Sequence, residues 1–259
     1  MGYQFVTLKR EGKIATVLLN RPPTNPLSAA FGRELFDAFT EVDRMEDVTV
    51  VVITSALEKA FVAGADIKEM AAMDRAASEA FSKLLQDTNN LLTRMKKVVI
   101  AAINGHALGG GCELAIACDM VVAAEGAKLG QPEIKLGVFP PIAAILMPRI
   151  LPLPRVMEML LGGNPIGARE AFELGMVNRV FAREAFEREC REFVAQFLSL
   201  SRVALLYTKK AIREAAGKPF FEALFNVEQI YLKELMATHD AVEGLNSFME
   251  KRKPVWLDR

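Results

Sequence analysis

Three short segments of this 259-residue chain combine small residues with carboxylates in ways that can do chemistry. In the first, Leu108-Gly109-Gly110-Gly111-Cys112-Glu113, three consecutive glycines precede an apolar stretch that reads as a helix. Glycine lets backbone approach a ligand closely, and the first N–H groups of a helix are unpaired and carry partial positive charge. An oxyanion developing beside such a donor gains roughly 3 kcal/mol of transition-state stabilisation. Taken alone, the segment is also a tight turn with Glu113 favoured by the helix dipole by about 0.5 kcal/mol. The second segment, Ala60-Phe61-Val62-Ala63-Gly64-Ala65-Asp66-Ile67-Lys68-Glu69-Met70, is a small-residue loop between a buried strand and a helix. Open α/β sheets bind ligands at such places, and this loop can present a second backbone N–H. It is also a strand-to-helix turn with Asp66 as N-cap. The third, Gly130-Gln131-Pro132-Glu133, is followed by Leu136-Gly137-Val138-Phe139-Pro140-Pro141 and sets Glu133 20 residues after Glu113. Two glutamates entering one apolar pocket have raised and separable pKa values, suited to a general acid and a general base. The alternative for Glu133 is a solvated surface carboxylate.

Composition points the same way. The chain has 32 basic and 32 acidic residues, so no net charge draws it to a phosphate backbone or a membrane surface. Only two histidines occur, His106 and His239, which makes a histidine-rich metal site a poor expectation. Acid–base chemistry therefore falls to carboxylates. Three cysteines cannot build a disulfide framework in so long a chain and fit a reducing, cytoplasmic setting. Cys112 and Cys118 read as buried, inert thiols. Neither GxxxxGK[ST], GxSxG nor HExxH is present, and the glycines at 105, 109, 110 and 111 do not form GxGxxG. The charged start lacks the apolar run of a signal peptide, and Val138 to Pro148 is too short and proline-broken to span a bilayer.

The elements that must position these segments follow from periodicity. Two short strands occupy the first twenty residues, and the proline-rich Asn20 to Pro26 is a loop. Ser28 caps a helix to about Met45, with Phe31, Leu35, Phe39 and Val42 on one stripe. Val48 to Thr54 and Val98 to Ile103 are apolar on both faces, as buried parallel strands are. A long helical pattern runs between them, from about Ile67 to Met95, and a further helix starts near Cys112. Met120 to Ala124 and the Lys128-Leu129 neighbourhood are further strands. This alternation predicts an α/β core of right-handed crossovers. Beyond Arg183 only helices are predicted, with a division near residue 200 into a core (1–200) and a helical C-terminal segment (201–259).

The three segments, in this order and spacing, resemble the enoyl-CoA hydratase/isomerase (crotonase) family. FVAGADIKEM, NGHALGGGCELAIACD and LGQPEIKLGVFP carry the resemblance, which extends to the closing FMEKRKP. It implies a crotonase-like (ClpP/crotonase) spiral of ββα units, with C-terminal helices that assemble homotrimers or dimers of trimers. The resemblance further implies that the N–H groups of Ala65 and Gly110 form an oxyanion hole for a thioester carbonyl. Glu113 and Glu133 match the catalytic pair that adds water to an enoyl-CoA. Ala63, Ala65, Asp66, Ile67, Lys68, Gly109 and Pro141 are then expected to line the coenzyme A and acyl site. No metal or separate cofactor is implied, because coenzyme A arrives as part of the substrate. One departure stands out: Pro140-Pro141-Ile142-Ala143-Ala144 replaces a glycine-rich Pro-Gly-Ala-Gly-Gly, and Pro141 has no N–H to offer. That segment resembles hydratases acting on cyclic dienoyl-CoA esters in aromatic degradation. Isomerase chemistry and a non-catalytic acyl-CoA- or RNA-binding scaffold are the competing readings; charge neutrality weighs against RNA. His106 is expected to be structural. Met70, Met73 and Phe139 are candidate acyl-pocket residues, and Lys251 to Lys253 candidates for reaching a neighbouring subunit's coenzyme A.

Overall fold

The computed structural model describes residues 2–259. At the start, Glu11-Gly12-Lys13 turns β1 (Val6–Glu11) back on β2 (Ile14–Leu19) as an antiparallel pair. In β2 the alternation puts Ala15, Val17 and Leu19 inward. α1 (Ala29–Asp43) begins where the Ser28 hydroxyl oxygen accepts from the Phe31 N–H at 3.1 Å, and its four-residue stripe is buried.

A ββα pattern then repeats. β3 (Val50–Ser55) and β4 (Ala60–Ala63) lead into α2 (Ile67–Ala72) and α3 (Arg75–Arg94). β5 (Val98–Ile103) and β6 (His106–Leu108) lead into α4 (Gly110–Ile116), and β7 (Met120–Ala124) is followed by β8 (Lys128–Gly130). Each repeat gives one strand to each of two sheets. Six strands order as β1-β2-β3-β5-β7-β10, with β10 spanning Arg179–Phe181. Four strands order as β4-β6-β8-β9, with β9 at Ile166–Gly167. β4, β6 and β8 run parallel to one another, so their carboxyl ends lie side by side, and β9 closes the sheet antiparallel to β8. Between β8 and β10 come α5 (Pro141–Leu146), α6 (Leu153–Gly162) and α7 (Ala168–Glu173). The core of this part is filled by Phe31, Phe39, Phe61, Leu92, Ile103, Leu129 and Met147 among others.

The remainder is α8 (Phe186–Leu198), α9 (Arg202–Ala215), α10 (Phe220–Gln229), a π-helical turn at Ile230–Leu235 and α11 (His239–Met249). The chain divides into two compact units, residues 1–95 with 99–191, and 96–98 with 192–259. The division thus falls inside α8, not at the α8–α9 turn near 200 that the sequence suggested. Within the second unit the buried Asp240 carboxylate accepts from the Ser201 hydroxyl (2.6 Å) and from the N–H groups of Leu257 (2.8 Å) and Asp258 (3.1 Å). That network pins the C-terminal tail.

Two expectations are corrected in detail. The stretch from Ile67 to Met95 is two helices, because Met73 is extended and Asp74 starts a new helix by accepting from the Ala77 N–H at 2.8 Å. The short strands β4, β6, β9 and β10 escaped the sequence reading; at two to four residues each they hold no measurable period.

Candidate active site

The site is assembled at the carboxyl ends of β4, β6 and β8. After β4, Leu27 pairs with the Gly64–Asp66 loop as an isolated parallel bridge: its N–H donates to Gly64 O (2.9 Å) and its carbonyl accepts from the Asp66 N–H (2.8 Å). This alternation points the Ala65 N–H away from Leu27, and no backbone partner takes it among the described residues. The Asp66 side chain fixes the loop from its other side. It accepts from the Glu69 N–H as N-cap of α2 (3.3 Å) and pairs with the Arg21 guanidinium at 2.8 Å, which holds its carboxyl below the ordinary value. Arg21 in turn donates to Pro26 O and lies over the Phe5 ring. Ala63 is half-buried, while Ile67 (49% exposed) and Lys68 line the open side of the loop.

After β6, Gly109 N–H donates to Gly130 O at 2.8 Å, and Gly109 O accepts from the N–H groups of Cys112 and Glu113. The Gly110 N–H, at the first position of α4, is left without a partner of this kind. Gly109 has φ +54° and ψ −129°, a conformation closed to residues with a side chain. A Cβ there would stand 2.5 Å from Glu133 Oε1 and 3.4 Å from Gly64 Cα. The two donor loops and the carboxylate of Glu133 therefore meet at this glycine. Gly111 serves packing: a Cβ on it would fall 2.2 Å from Val62 O.

The two glutamates arrive on different elements. Glu113, 5% exposed on α4, accepts with Oε1 from the N–H groups of Ile142 and Ala143, both at 2.9 Å. Burial holds its pKa above the ordinary 4.5, and those two donors offset part of the rise. Glu133 stands in a 3-10 turn after β8, where Pro132 occupies the first position. Burial raises its pKa from 4.5 to about 7, its own backbone N–H opposes the rise, and the charge of Glu113 adds to it. Glu113 is thus solvated by fixed dipoles, whereas Glu133 holds a proton up to neutral pH. Such a pair can take a proton from one atom and give one to another. Pro141 is the first residue of α5, so the two N–H groups that reach Glu113 are those immediately following it.

Sequence reasoning missed Gln131, Arg21, Asn25 and Leu27. Gln131 is fully buried, and with its amide nitrogen facing its two acceptors it donates to Gly109 O (3.2 Å) and Glu133 Oε2 (3.3 Å). Asn25, at φ +53°, donates to Ser55 Oγ and Phe61 O beneath the first loop. Only Gln131 had a signal, its place two residues before Glu133. Other candidates lie elsewhere: His106 Nδ1 accepts from the Lys128 N–H between β6 and β8, which is a structural contact. Met73 packs on the core, Met70 is partly exposed and Phe139 is 69% exposed. Cys112 and Cys118 are buried, the Cys118 Sγ donating to Leu114 O at 3.3 Å, and burial pushes the Cys112 thiol well up. Arg252 is bound to Glu243 and Glu250 within the second unit.

This arrangement has relatives. Residues 9–259 match the family model described as enoyl-CoA hydratase/isomerase. The chain is 36% identical over 261 residues to the crotonyl-CoA hydratase of Syntrophomonas wolfei, covering 100% of both. It is also 36% identical over 262 residues to the carnitinyl-CoA dehydratase of Escherichia coli K12, covering 97% of this chain and 98% of that one. Among solved structures, the enoyl-CoA hydratase of Bacillus anthracis superposes with a TM-score of 0.94 at 33% identity, over 99% of this chain and 100% of the other. With the fold, the two donor loops and a family match over nearly its whole length, the chain belongs to the enoyl-CoA hydratase/isomerase (crotonase) family.

Proposed function

We propose that this protein adds water across the double bond of an α,β-unsaturated acyl-CoA thioester. The observation that carries this reading is the convergence of Glu113 and Glu133, in differently tuned environments, beside the unpaired N–H groups of Ala65 and Gly110. The thioester carbonyl oxygen accepts from both N–H groups. Charged Glu113 takes a proton from a water whose oxygen bonds to the β-carbon. The electron pair of the double bond moves onto the α-carbon and carbonyl as an enolate, and protonated Glu133 delivers its proton to the α-carbon. The enolate oxygen is the charge that the two donors stabilise. Coenzyme A enters as part of the substrate, along Ala63, Ala65 to Lys68 and Gly109, and no further cofactor is called for. Glu113→Gln and Glu133→Gln are each expected to lower kcat for hydration by about 10²–10⁴-fold. Rates near wild type in both would overturn the assignment, and incorporation of solvent oxygen-18 separates hydration from double-bond isomerisation.

The finer reading is a cyclic dienoyl-CoA substrate. It is supported by Pro141, which offers no N–H toward a bound water, and by Ile142 and Ala143, whose N–H groups are taken by Glu113. A panel of straight-chain and cyclic enoyl-CoA esters, including a cyclohexadiene-carbonyl-CoA, decides it by kcat/KM. We further propose a homotrimer, or a dimer of trimers, working in the cytoplasm. Support comes from the second unit, which exposes Phe220, Phe221, Phe225, Phe248 and Met249 in this single chain. Light scattering at micromolar concentration tests it. Among the described residues, no helix is long and apolar enough to cross a membrane.

A further inference from the structure

Behind Glu113, on the side facing α3, lies a small cavity of about 10 Å³, room for one water-sized group. Four leucines line it, Leu27, Leu35, Leu85 and Leu114, together with Thr88, Asn89, Gly110 and Glu113. It therefore abuts both a proposed oxyanion donor and one of the proposed acid–base pair. Asn89 is only 7% exposed. Its Nδ2 donates to Leu85 O at 2.8 Å, which fixes the orientation of the amide, and its Oδ1 is buried with no hydrogen-bond partner among the described residues. The Thr88 hydroxyl is likewise spent as a donor, to Leu84 O at 2.7 Å, leaving only oxygen lone pairs. Every polar atom that these side chains have left for the cavity is an acceptor. A methyl group there strands Asn89 Oδ1, and a carbonyl repels it; a hydroxyl of this size satisfies it.

We infer that Asn89 is a specificity-determining residue that makes the inner end of the acyl site a receptor for a single hydroxyl. The chain then prefers enoyl-CoA esters whose acyl group carries a hydroxyl over the bare hydrocarbon, with water taking the same place when the acyl group does not reach. The inference rests on the hydratase reading above.

The test measures kcat/KM for crotonyl-CoA and its pentenoyl and hexenoyl homologues, each against its ω-hydroxy counterpart, in wild type and in Asn89→Leu, which is close to isosteric. One hydroxyl–acceptor pairing is expected to favour one hydroxylated ester about tenfold over its parent, and Asn89→Leu to collapse that ratio to near unity. Thermal unfolding without substrate supplies an independent readout. If water pairs with Oδ1 in the free protein, Asn89→Leu lowers Tm; if nothing does, removing an orphaned oxygen raises Tm by a few degrees. A hydroxyl preference that Asn89→Leu abolishes supports acyl recognition. No preference together with a lowered Tm assigns the same site to water alone and overturns the substrate part. A raised Tm with no preference, or an equal fall on every ester, overturns the whole inference. Should wild type hydrate none of the esters, the hydratase reading fails while the Tm comparison still decides whether the cavity binds a hydroxyl.

Discussion

Gly109→Ala tests whether one glycine sets the geometry of the site. The new Cβ would stand 2.5 Å from Glu133 Oε1, so the carboxylate has to retreat by about 0.9 Å to reach ordinary van der Waals contact. A misplacement near 1 Å of a group that transfers a proton costs about 10²-fold in rate, or about 2.7 kcal/mol of barrier. The backbone adds its own cost of about 1–3 kcal/mol, since φ +54° with ψ −129° suits glycine alone. At about 2–4 °C per kcal/mol for a chain of this size, the variant should melt several degrees early but remain folded at 25 °C. Gly12→Ala is the control for a positive-φ glycine away from the site: its φ is +57°, nothing lies within 4 Å of the added Cβ, and it sits in the β1–β2 turn. Hydration of the best enoyl-CoA ester, followed by loss of absorbance of the conjugated thioester, should fall about 100-fold in Gly109→Ala and hold in Gly12→Ala. Gly109→Ala with kcat within threefold of wild type, at a melting temperature that proves it folded, refutes the link between this backbone and Glu133.

The pH profile follows from the pair. In the proposed scheme hydration starts with the proton on Glu133 and ends with one on Glu113, so both directions require a pair carrying a single proton, and kcat/KM for hydration and dehydration should share an alkaline limb near pH 7. Opposite limbs in the two directions would exclude the scheme. Because Glu113 raises the pKa of Glu133, Glu113→Gln should move the residual limb to lower pH. The folded value of Glu133 lies above its ordinary 4.5, so this group contributes a loss of stability as pH climbs from about 4.5 to 7, which urea unfolding of wild type against Glu133→Gln should reveal. Asp240 behaves oppositely: burial pushes it up, but hydrogen bonds from Ser201, Leu257, His239 and Asp258 hold it below its ordinary 3.8, so its contribution is lost as pH falls through that lowered value. Asp240→Ala strands a hydroxyl and two N–H groups and should cost about 3 kcal/mol in urea unfolding; a loss under 1 kcal/mol would show the tail is held by other means.

Much of this was legible in the sequence because it rests on local chemistry. The Ser28 cap, the stripe Phe31-Leu35-Phe39-Val42 and the apolar run Val98–Ile103 each announce an element without help from distant residues. Glu113, Glu133, Ala65 and Gly110 were singled out by the family resemblance that the glycine- and proline-containing motifs carry. Gln131 and Asn89 were not, because a buried amide acquires meaning only from partners that the fold supplies. The break at Met73–Asp74 was hidden for a related reason: apolar spacing continued through it, while a single carboxylate reset the helix.

The adjacency of β4, β6 and β8 has a consequence for how such a site can change. In the proposed reading, three successive turns of the repeat each deliver one instrument to the same edge: the first a carbonyl clamp at Ala65, the second its counterpart at Gly110, the third a proton at Glu133. Sequence order is therefore also spatial order across the site, and neighbouring turns lean on each other through Gly109, whose N–H donates to Gly130 O and whose missing Cβ leaves room for Glu133. The scaffold spaces these positions along one sheet edge, so a change in one turn is felt first by the turn beside it.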